Sequence, residues 1–378
     1  MAKNTDATMT NIRMLNTGKG PAVHALRAQI DKYDYSEEMT RRLMLQENLQ
    51  IRYGLAEKIL LKGSKIAGVQ THFGEKYTCK SLIITAGTFI KGKIFVGPTE
   101  LSAGRLGEFS ADLISDSIKE IGLEIGRFKT GTPARILKSS IDFHKMEKQT
   151  TSEEPLAFSF FSEKKVLSDQ WPVYITRTNQ KTHEIIQKNI SYSPLYGDIK
   201  LIDGTGPRYC PSIEDKVLKF SDRDSHQLFI EPETRRNEEY YIGGLSTSLP
   251  FHVQEEMIRT IEGLERAQII RPAYAVEYDY IFPEQLTEYL EVKSIQGLFF
   301  AGQVNGTSGY EEAAGQGFIA ALNAVLTLDG KQNWYPKRNE SYLGVLIDDL
   351  VTKGTDEPYR LLTSRAEHRL LLRHDNAH

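Results

Sequence analysis

The sequence is poor in cysteine, with only Cys79 and Cys210 among 378 residues. That scarcity excludes a disulfide framework and any four-cysteine metal site, and a reducing cytoplasm is the setting it fits. Long apolar runs are also missing. No stretch reaches the roughly 18 apolar residues that a membrane-crossing helix needs. Residues 1–11 are polar and lack the apolar stretch of a secretory leader. Charge imbalance is small, at −3 net from 47 basic and 50 acidic residues. This argues against a protein that grips nucleic acid with its whole surface, but not against local basic patches. Such patches occur at Arg41-Arg42, Lys91 with Lys93, Lys164-Lys165 and Arg235-Arg236, and among Arg365, Arg369 and Arg373. Internal repeats and low-complexity tracts are lacking too.

What is present is an ordinary globular composition, 40% hydrophobic and 26% charged, enough for two or three cores. Pro21 and the helical spacing of Val23, Leu26 and Ile30 predict a helix over residues 20–33. Residues 49–59 and 66–73 read as strands about a Gly63-Ser64 turn. Residues 81–86 (SLIITA), closed by Gly87, have the short apolar character of a buried parallel strand. Residues 110–121 read as an amphipathic helix with Leu113, Ile114, Ile118 and Ile121 on one face. Residues 139–165 are polar, as in an insertion. Strands are predicted over 173–176, 227–230, 240–242 and 276–281. Helices are predicted over 182–189, capped by Thr178 or Asn179, and over 253–261. The clearest strand–loop–helix unit is 298–302 followed by a helix from about 317 to 328, ended by Gly330. From 340 onward the chain is helical in character.

Four segments can carry chemistry. Residues 297–317 (GLFFAGQVNGTSGYEEAAGQG) run from a buried strand through a loop with Gly302, Gly306 and Gly309 into a helix whose first turn contains Gly315 and Gly317. There backbone can approach a ligand, and a helix N-terminus suits a phosphate or the electron-rich edge of a flavin. A tight turn in any α/β protein is the plainer alternative. Residues 204–220 (GTGPRYCPSIEDKVLKF) set Cys210 beside Arg208 and Lys216, and cations lower a thiol's pKa toward a nucleophile. A buried structural cysteine is the alternative. Here Ser212 can cap a short helix, with Asp215 three residues on. Arg365, Arg369 and Arg373, four apart, would share one helical face able to meet phosphates, or simply face solvent. Residues 127–135 (RFKTGTPAR) can bind an anion or serve as a linker.

Taken together, LNTGKGPAV, TAGTFIKGKI, GRFKTGTPARI, TNQKTHEII, GTGPRYCPSIEDKV, GLSTSLP, EYDY, the 297–317 segment and IDDLVTKGTDEPYRLLTSRAEHRLLLR resemble, in collinear order, the MnmG (GidA) family. The resemblance implies an α/β fold: an FAD/NAD(P)-binding Rossmann-like domain with an inserted α+β domain and the start of a helical C-terminal domain. The expected division is 1–130 with 270–335, then 131–269, then 336–378. It implies a flavoenzyme that acts with the GTPase MnmE on tRNA. There it adds an aminomethyl or carboxymethylaminomethyl group at C5 of the wobble uridine, using FAD, NADH and methylene-tetrahydrofolate, and it does so as a homodimer.

Carried over by position, Gln303, Ala56 and Ala111 match flavin contacts. The nicotinamide segment falls on Gly206, Pro207, Arg208, Tyr209, Cys210, Pro211, Ser212, Ile213, Glu214, Asp215, Lys216, Val217, Leu218, Lys219 and Phe220, with Cys210 the catalytic thiol. Arg365, Arg369 and Arg373 are the expected tRNA contacts. The wobble base has to leave its stack to be reached, which favours a single-stranded loop as substrate. Departures from the family pattern are an opening strand, its GxGxxG loop and helix, and a second cysteine, none of which this chain carries. It also ends soon after the arginine-rich segment. The expectation is a fragment with weakened FAD binding, because a parallel sheet would lack a central strand. Two rivals stay open: another flavin oxidoreductase, such as a folate-dependent tRNA uridine methyltransferase, and an inactive RNA- or partner-binding remnant.

Overall fold

A computed structural model describes every residue except Gln170, Ile199, Tyr209, Cys210, Ser221, Ala377 and His378. Local chemistry sets the first unit. Helix α1 (Ala2–Thr8) leads into strand β1 (Met9–Leu15), which pairs antiparallel with β2 (Ala25–Ile30). The helix expected over 20–33 is therefore replaced by a 3-10 turn (Pro21–Val23) and a strand, with helix α2 (Lys32–Met44) starting only after Asp31. Pairing with β1 overrides the helical spacing of Val23, Leu26 and Ile30, and the Asp31 carboxylate caps α2 by accepting from the Tyr33 and Asp34 N–H groups.

Strands β3 (Ala56–Lys62), β4 (Lys65–Thr71) and β5 (Lys76–Thr78) form an antiparallel meander. It begins later than the expected strand, since residues 49–55 are irregular. Next comes β6 (Leu82–Ile84), the predicted parallel strand. Its partner is β17 (Leu298–Phe300), in the register Leu82↔Leu298, Phe299↔Ile83 and Phe300↔Ile84. Among the described residues this parallel sheet has two strands, and the β6 side chains are only half-buried whereas those of β17 are fully buried. Helix α3 (Asp112–Glu120) buries Ile114 and Ile118 as predicted, but Leu113 is 54% exposed. The buried stripe is completed instead by Ser115 and Ser117, and Ser117 Oγ accepts from the Ile59 N–H.

Two antiparallel sheets lie beyond this core. One joins β7 (Lys93–Val96) and β8 (Thr99–Ser102) to β9 (Ile125–Thr132) through the central β16 (Tyr274–Ile281). Residues 127–132 are thus strand, not linker, paired with β16 along their whole length. The other is six-stranded, in the order Glu147–Gln149 (β11), Val173–Arg177 (β12), Gln227–Pro232 (β13), Glu239–Gly243 (β14), Arg135–Leu137 (β10) and Ile269–Arg271 (β15). Helices α4 (Gln180–Lys188), α5 (Ile213–Lys219) and α6 (Phe251–Ile258) accompany it. Its apolar core gathers Ile136, Ile186, Ile213, Val217, Ile230, Ile242 and Met257. The α1–β2–α2 unit docks here through buried and ionic bonds. Asp31 accepts from the Thr234 hydroxyl and the Arg235 N–H, and Asp6 accepts from the Phe158 and Ser159 N–H groups.

Helix α7 spans Tyr310–Leu328, starting seven residues earlier than predicted. Gly315 and Gly317, expected in the first turn of this helix, lie further inside it, and helix α8 (Tyr342–Lys353) packs close to Gly315. A Cβ on Gly315 would lie 2.8 Å from Leu343 Cδ1. The helix expected through residues 363–373 is absent; Thr363–Arg365 is a 3-10 turn and irregular turns follow. Two tertiary bonds force this. Tyr359 pairs with the 306–308 loop, its N–H donating to Gly306 O at 2.8 Å. Arg365 then folds back over the Tyr359 ring, 4.4 Å from its centroid.

Candidate functional site

The parallel strands β6 and β17 end side by side, and each ends in a turn that needs glycine. Gly87 follows β6 at φ 60° and Gly302 follows β17 at φ 83°, both left-handed conformations. The first turn of α7 closes on Gly302, where an added Cβ would lie 3.3 Å from Ala313 Cβ. In open α/β sheets the carboxyl ends of parallel strands are where ligands bind. Gln303 sits in this turn. Its Oε1 would be 3.7 Å from a Cβ on Gly87, so the two turns meet at its side chain. Ala111 joins them as well, because its N–H donates to Phe89 O at 2.8 Å and its carbonyl accepts from the Lys91 N–H. Ala56 lies on another sheet, at the head of β3, packed on the same apolar core.

The turn is held from beneath by uncharged polar groups buried in α7. Gln316 is fully buried. Its Oε1 accepts from Asn305 Nδ2 at 2.8 Å and its Nε2 donates to Thr307 Oγ1 at 2.9 Å. This support went unseen in the sequence. The one available signal was a polar residue on the apolar face of α7, where Glu312, Gln316 and Asn323 share burial with Ile319.

Strand β16 is a wall between this turn and residues 204–220, and period-two alternation divides its labour. On one face Tyr278 is fully buried beside Gln303, without a complete hydrogen bond. Burial pushes its hydroxyl far above the usual phenol value, with Gln303 acting against that rise. On the other face Glu277 and Asp279 clasp Arg127 at 2.6 and 2.7 Å. Burial penalises the guanidinium charge, but hydrogen bonds to the two carboxylates more than compensate and raise its pKa. The second oxygen of Glu277 accepts from the N–H groups of Asp203 and Gly204, which fixes the start of the next segment.

Residues 204–220 follow the predicted design where they are described. Ser212 caps α5 in a reciprocal box with Asp215. Asp215 also accepts from Tyr196 and, at 2.9 Å, from Lys219, with Lys129 Nζ at 3.8 Å. Burial works against its charge, but the Tyr196 hydrogen bond and the Lys129 and Lys219 charges prevail and hold it at about 2. Glu214 is buried and accepts from the Thr247 hydroxyl and the Ser248 N–H. Ile213 and Val217 face the core, Leu218 and Phe220 face outward, and Gly206 lies over the Lys129 side chain. Pro207 lines a small cleft with Ser212, and Arg208 lies 3.6 Å from Glu357, tying this segment to residues 355–361. Tyr209 and Cys210, the latter the expected catalytic thiol, lie outside the described residues. The other cysteine, Cys79, is half-buried, and burial raises its pKa, the reverse of a reactive thiol.

The expected tRNA-contacting arginines do not form a stripe. Arg365 donates to Arg360 O and stacks on Tyr359, Arg373 pairs with Asp375 at 2.7 Å, and no helix aligns them with Arg369. Among the described residues there is no cluster of three metal-ligating side chains, and no helix is long and apolar enough to cross a membrane.

Comparison with known proteins places these features in a family. The family described as "Glucose inhibited division protein A" matches residues 1–332. The tRNA uridine 5-carboxymethylaminomethyl modification enzyme MnmG of Lactococcus lactis is 53% identical over 380 residues, which take in all of this chain and 60% of that protein. The enzyme of the same name from Streptococcus thermophilus is 53% identical over 378 residues, 59% of its length. Among solved structures, Aquifex aeolicus GidA superposes in two crystal forms, with TM-scores of 0.92 and 0.94 at 47% and 49% identity. All of this chain is covered, against 61% and 63% of those chains. The chain therefore spans about 60% of the length of the relatives it matches.

Proposed function

Because this chain belongs to the glucose inhibited division protein A family, we propose that it serves FAD-dependent modification of tRNA, adding a (carboxymethyl)aminomethyl group at C5 of the wobble uridine together with the GTPase MnmE. The observation that carries this reading is the meeting of the Gly87 and Gly302 turns at Gln303, at the carboxyl ends of β6 and β17. The residues present fit a flavin there. Left-handed glycines let backbone approach a flat ring, the Gln303 amide offers both a donor and an acceptor, and the Asn305–Gln316–Thr307 bonds hold the turn rigid. In this reading Gln303, Ala111 and Ala56 hold the flavin. Residues 206–220 hold NADH, and Cys210 is the catalytic thiol. FAD would supply the redox chemistry that joins NADH to the one-carbon unit of methylene-tetrahydrofolate, and the protein positions the reactants and excludes water. Cytoplasmic tRNA and a second copy of the chain are the remaining partners.

A second reading, tRNA or partner binding without catalysis, draws on the two-stranded parallel sheet. Purely parallel sheets are ordinarily larger and covered on both faces, whereas β6 is only half-buried here. The visible spectrum of the purified chain separates the two. A flavin band near one per chain, reduced on adding NADH, is expected from the first. No band, with salt-sensitive tRNA binding retained, would overturn the first reading and support the second.

A further inference from the structure

Behind α5 lies a cleft of about 250 Å³ lined by Pro211, Lys216, Phe220, Arg223, His226 and Gln227. Half of that lining reaches beyond the segment expected to take nicotinamide. Resting on the reading that residues 206–220 take NADH, we propose that this cleft is the seat of the reductant's pyrophosphate, with Arg223 and His226 as its direct contacts.

Three independent features lead there. First, the electrostatic balance is positive. Arg223 and Lys216 both line the cleft, and among the described residues Arg223 forms no ion pair, its guanidinium lying 5.7 Å from the Phe220 ring centroid. Asp222 and Asp224 flank Arg223 in sequence, but Asp224 acts on the neighbouring His183. Second, a buried ring nitrogen is left without a partner. His226 is only 7% exposed, and its Nε2 makes no hydrogen bond. Its position is fixed by the backbone: its N–H donates to Thr178 Oγ1 at 2.8 Å, and its carbonyl accepts from the Thr178 N–H at 2.9 Å. A buried polar atom held so firmly and left unpaired costs stability unless something meets it. Burial, followed by His183, Lys216 and Arg223, lowers the His226 pKa to about 4. The ring is therefore neutral near pH 7, and a proton on Nε2 would make it a donor.

Third, size decides what fits. Whole small-molecule sites run to roughly 300–1,000 Å³. A cleft of about 250 Å³ takes the pyrophosphate bridge and leaves the nucleosides of a dinucleotide along the segment outside. The Phe220 ring and Pro211 form an apolar wall beside the cations, the mixed lining that suits a nucleotide phosphate next to its sugar.

The test uses the full chain and titrates inorganic pyrophosphate and, separately, NADH, by calorimetry. The variants are Arg223→Gln, which alters an exposed side chain, and a remote control, Lys76→Gln on β5. Pyrophosphate is expected to bind the unaltered chain and Lys76→Gln alike, to bind Arg223→Gln at least about tenfold more weakly, and to shift the His226 ring nitrogen resonance. NADH affinity is expected to fall in parallel in Arg223→Gln and to be competed by pyrophosphate. Equal pyrophosphate affinity in Arg223→Gln, or none in the unaltered chain, overturns the proposal. Arg223-dependent pyrophosphate binding with no NADH binding would leave the anion seat standing and bring down the assignment of residues 206–220 to NADH.

Discussion

The turn after β17 and the cap of α5 are both short segments proposed to meet a cofactor, yet they are secured by opposite means. The first rests on amides and a hydroxyl, Asn305, Gln316 and Thr307, buried with no formal charge. The second rests on a carboxylate, Asp215, ringed by Tyr196, Ser212, Lys129 and Lys219. Uncharged networks are indifferent to pH and salt, but each member is needed, because a lost partner leaves a buried group unsatisfied. Charged networks are graded. They tolerate loss of one partner while others remain, but they answer to protonation.

The largest expected effect breaks the uncharged side. Gln316→Leu keeps helix propensity and volume while stranding Asn305 Nδ2 and removing the donor to Thr307. With about 1–3 kcal/mol for each buried group left unsatisfied, a loss of about 3 kcal/mol is expected in urea unfolding, equal at pH 5 and pH 8. A cost that changes across that range would show that the turn is not held in the uncharged way described.

The next effect tests the charged side. Asp215 is held at about 2, against 3.8 ordinarily. Its folded pKa is depressed, so the stability it contributes is complete above pH 4 and is lost as pH falls through about 2. The size at pH 7 is about 2 kcal/mol. Asp215→Asn should therefore cost about that much in unfolding at pH 7 and progressively less as pH is lowered from 4 toward 2. A cost independent of pH would mean that Asp215 acts through shape alone.

The same contrast explains what the sequence made legible. Caps are local, so Ser212 with Asp215 and Asn179 at the head of α4 could be read from spacing alone. The two parallel strands were legible as short apolar runs closed by Gly87 and Gly302. Misreadings arose where a distant partner decided the outcome. Residues 25–30 carry helical spacing but lie in a strand because Met9–Leu15 is there to pair with. Gly315 and Gly317 mark a helix start by their spacing, yet α7 begins at Tyr310, and Gly315 inside it serves the close approach of Leu343. The arginine spacing at 365, 369 and 373 fitted a helix, but Tyr359, anchored on Gly306, draws Arg365 out of line. Gln316 and Tyr278 escaped notice because neither a helix nor a strand pattern says which buried face will meet the Gly302–Gln303 turn.

The smallest effect is the sharpest test of the comparison. Ser212→Ala removes the acceptor for the Asp215 N–H and the hydroxyl that donates to Asp215 Oδ2, at 3.2 and 3.0 Å. A lost N-cap costs about 1 kcal/mol, and the Ser212 N–H would still donate to Asp215 Oδ2. Combined with Asp215→Asn, it closes a double-mutant cycle whose coupling should shrink as pH falls from 5 toward 2, because the hydroxyl's bond to a charged acceptor weakens once the carboxyl is protonated. The matching cycle of Asn305→Ala with Gln316→Leu should give a coupling that does not move with pH. If both couplings were flat, the distinction between the two supports would be one of composition only, and the acid sensitivity of this segment would have to reside in His226. Its pKa of about 4 lies below the usual imidazole value. The unfolded chain then binds the extra proton between about pH 6.5 and 4, and stability would fall with acidification across that window, well above the range in which Asp215 titrates.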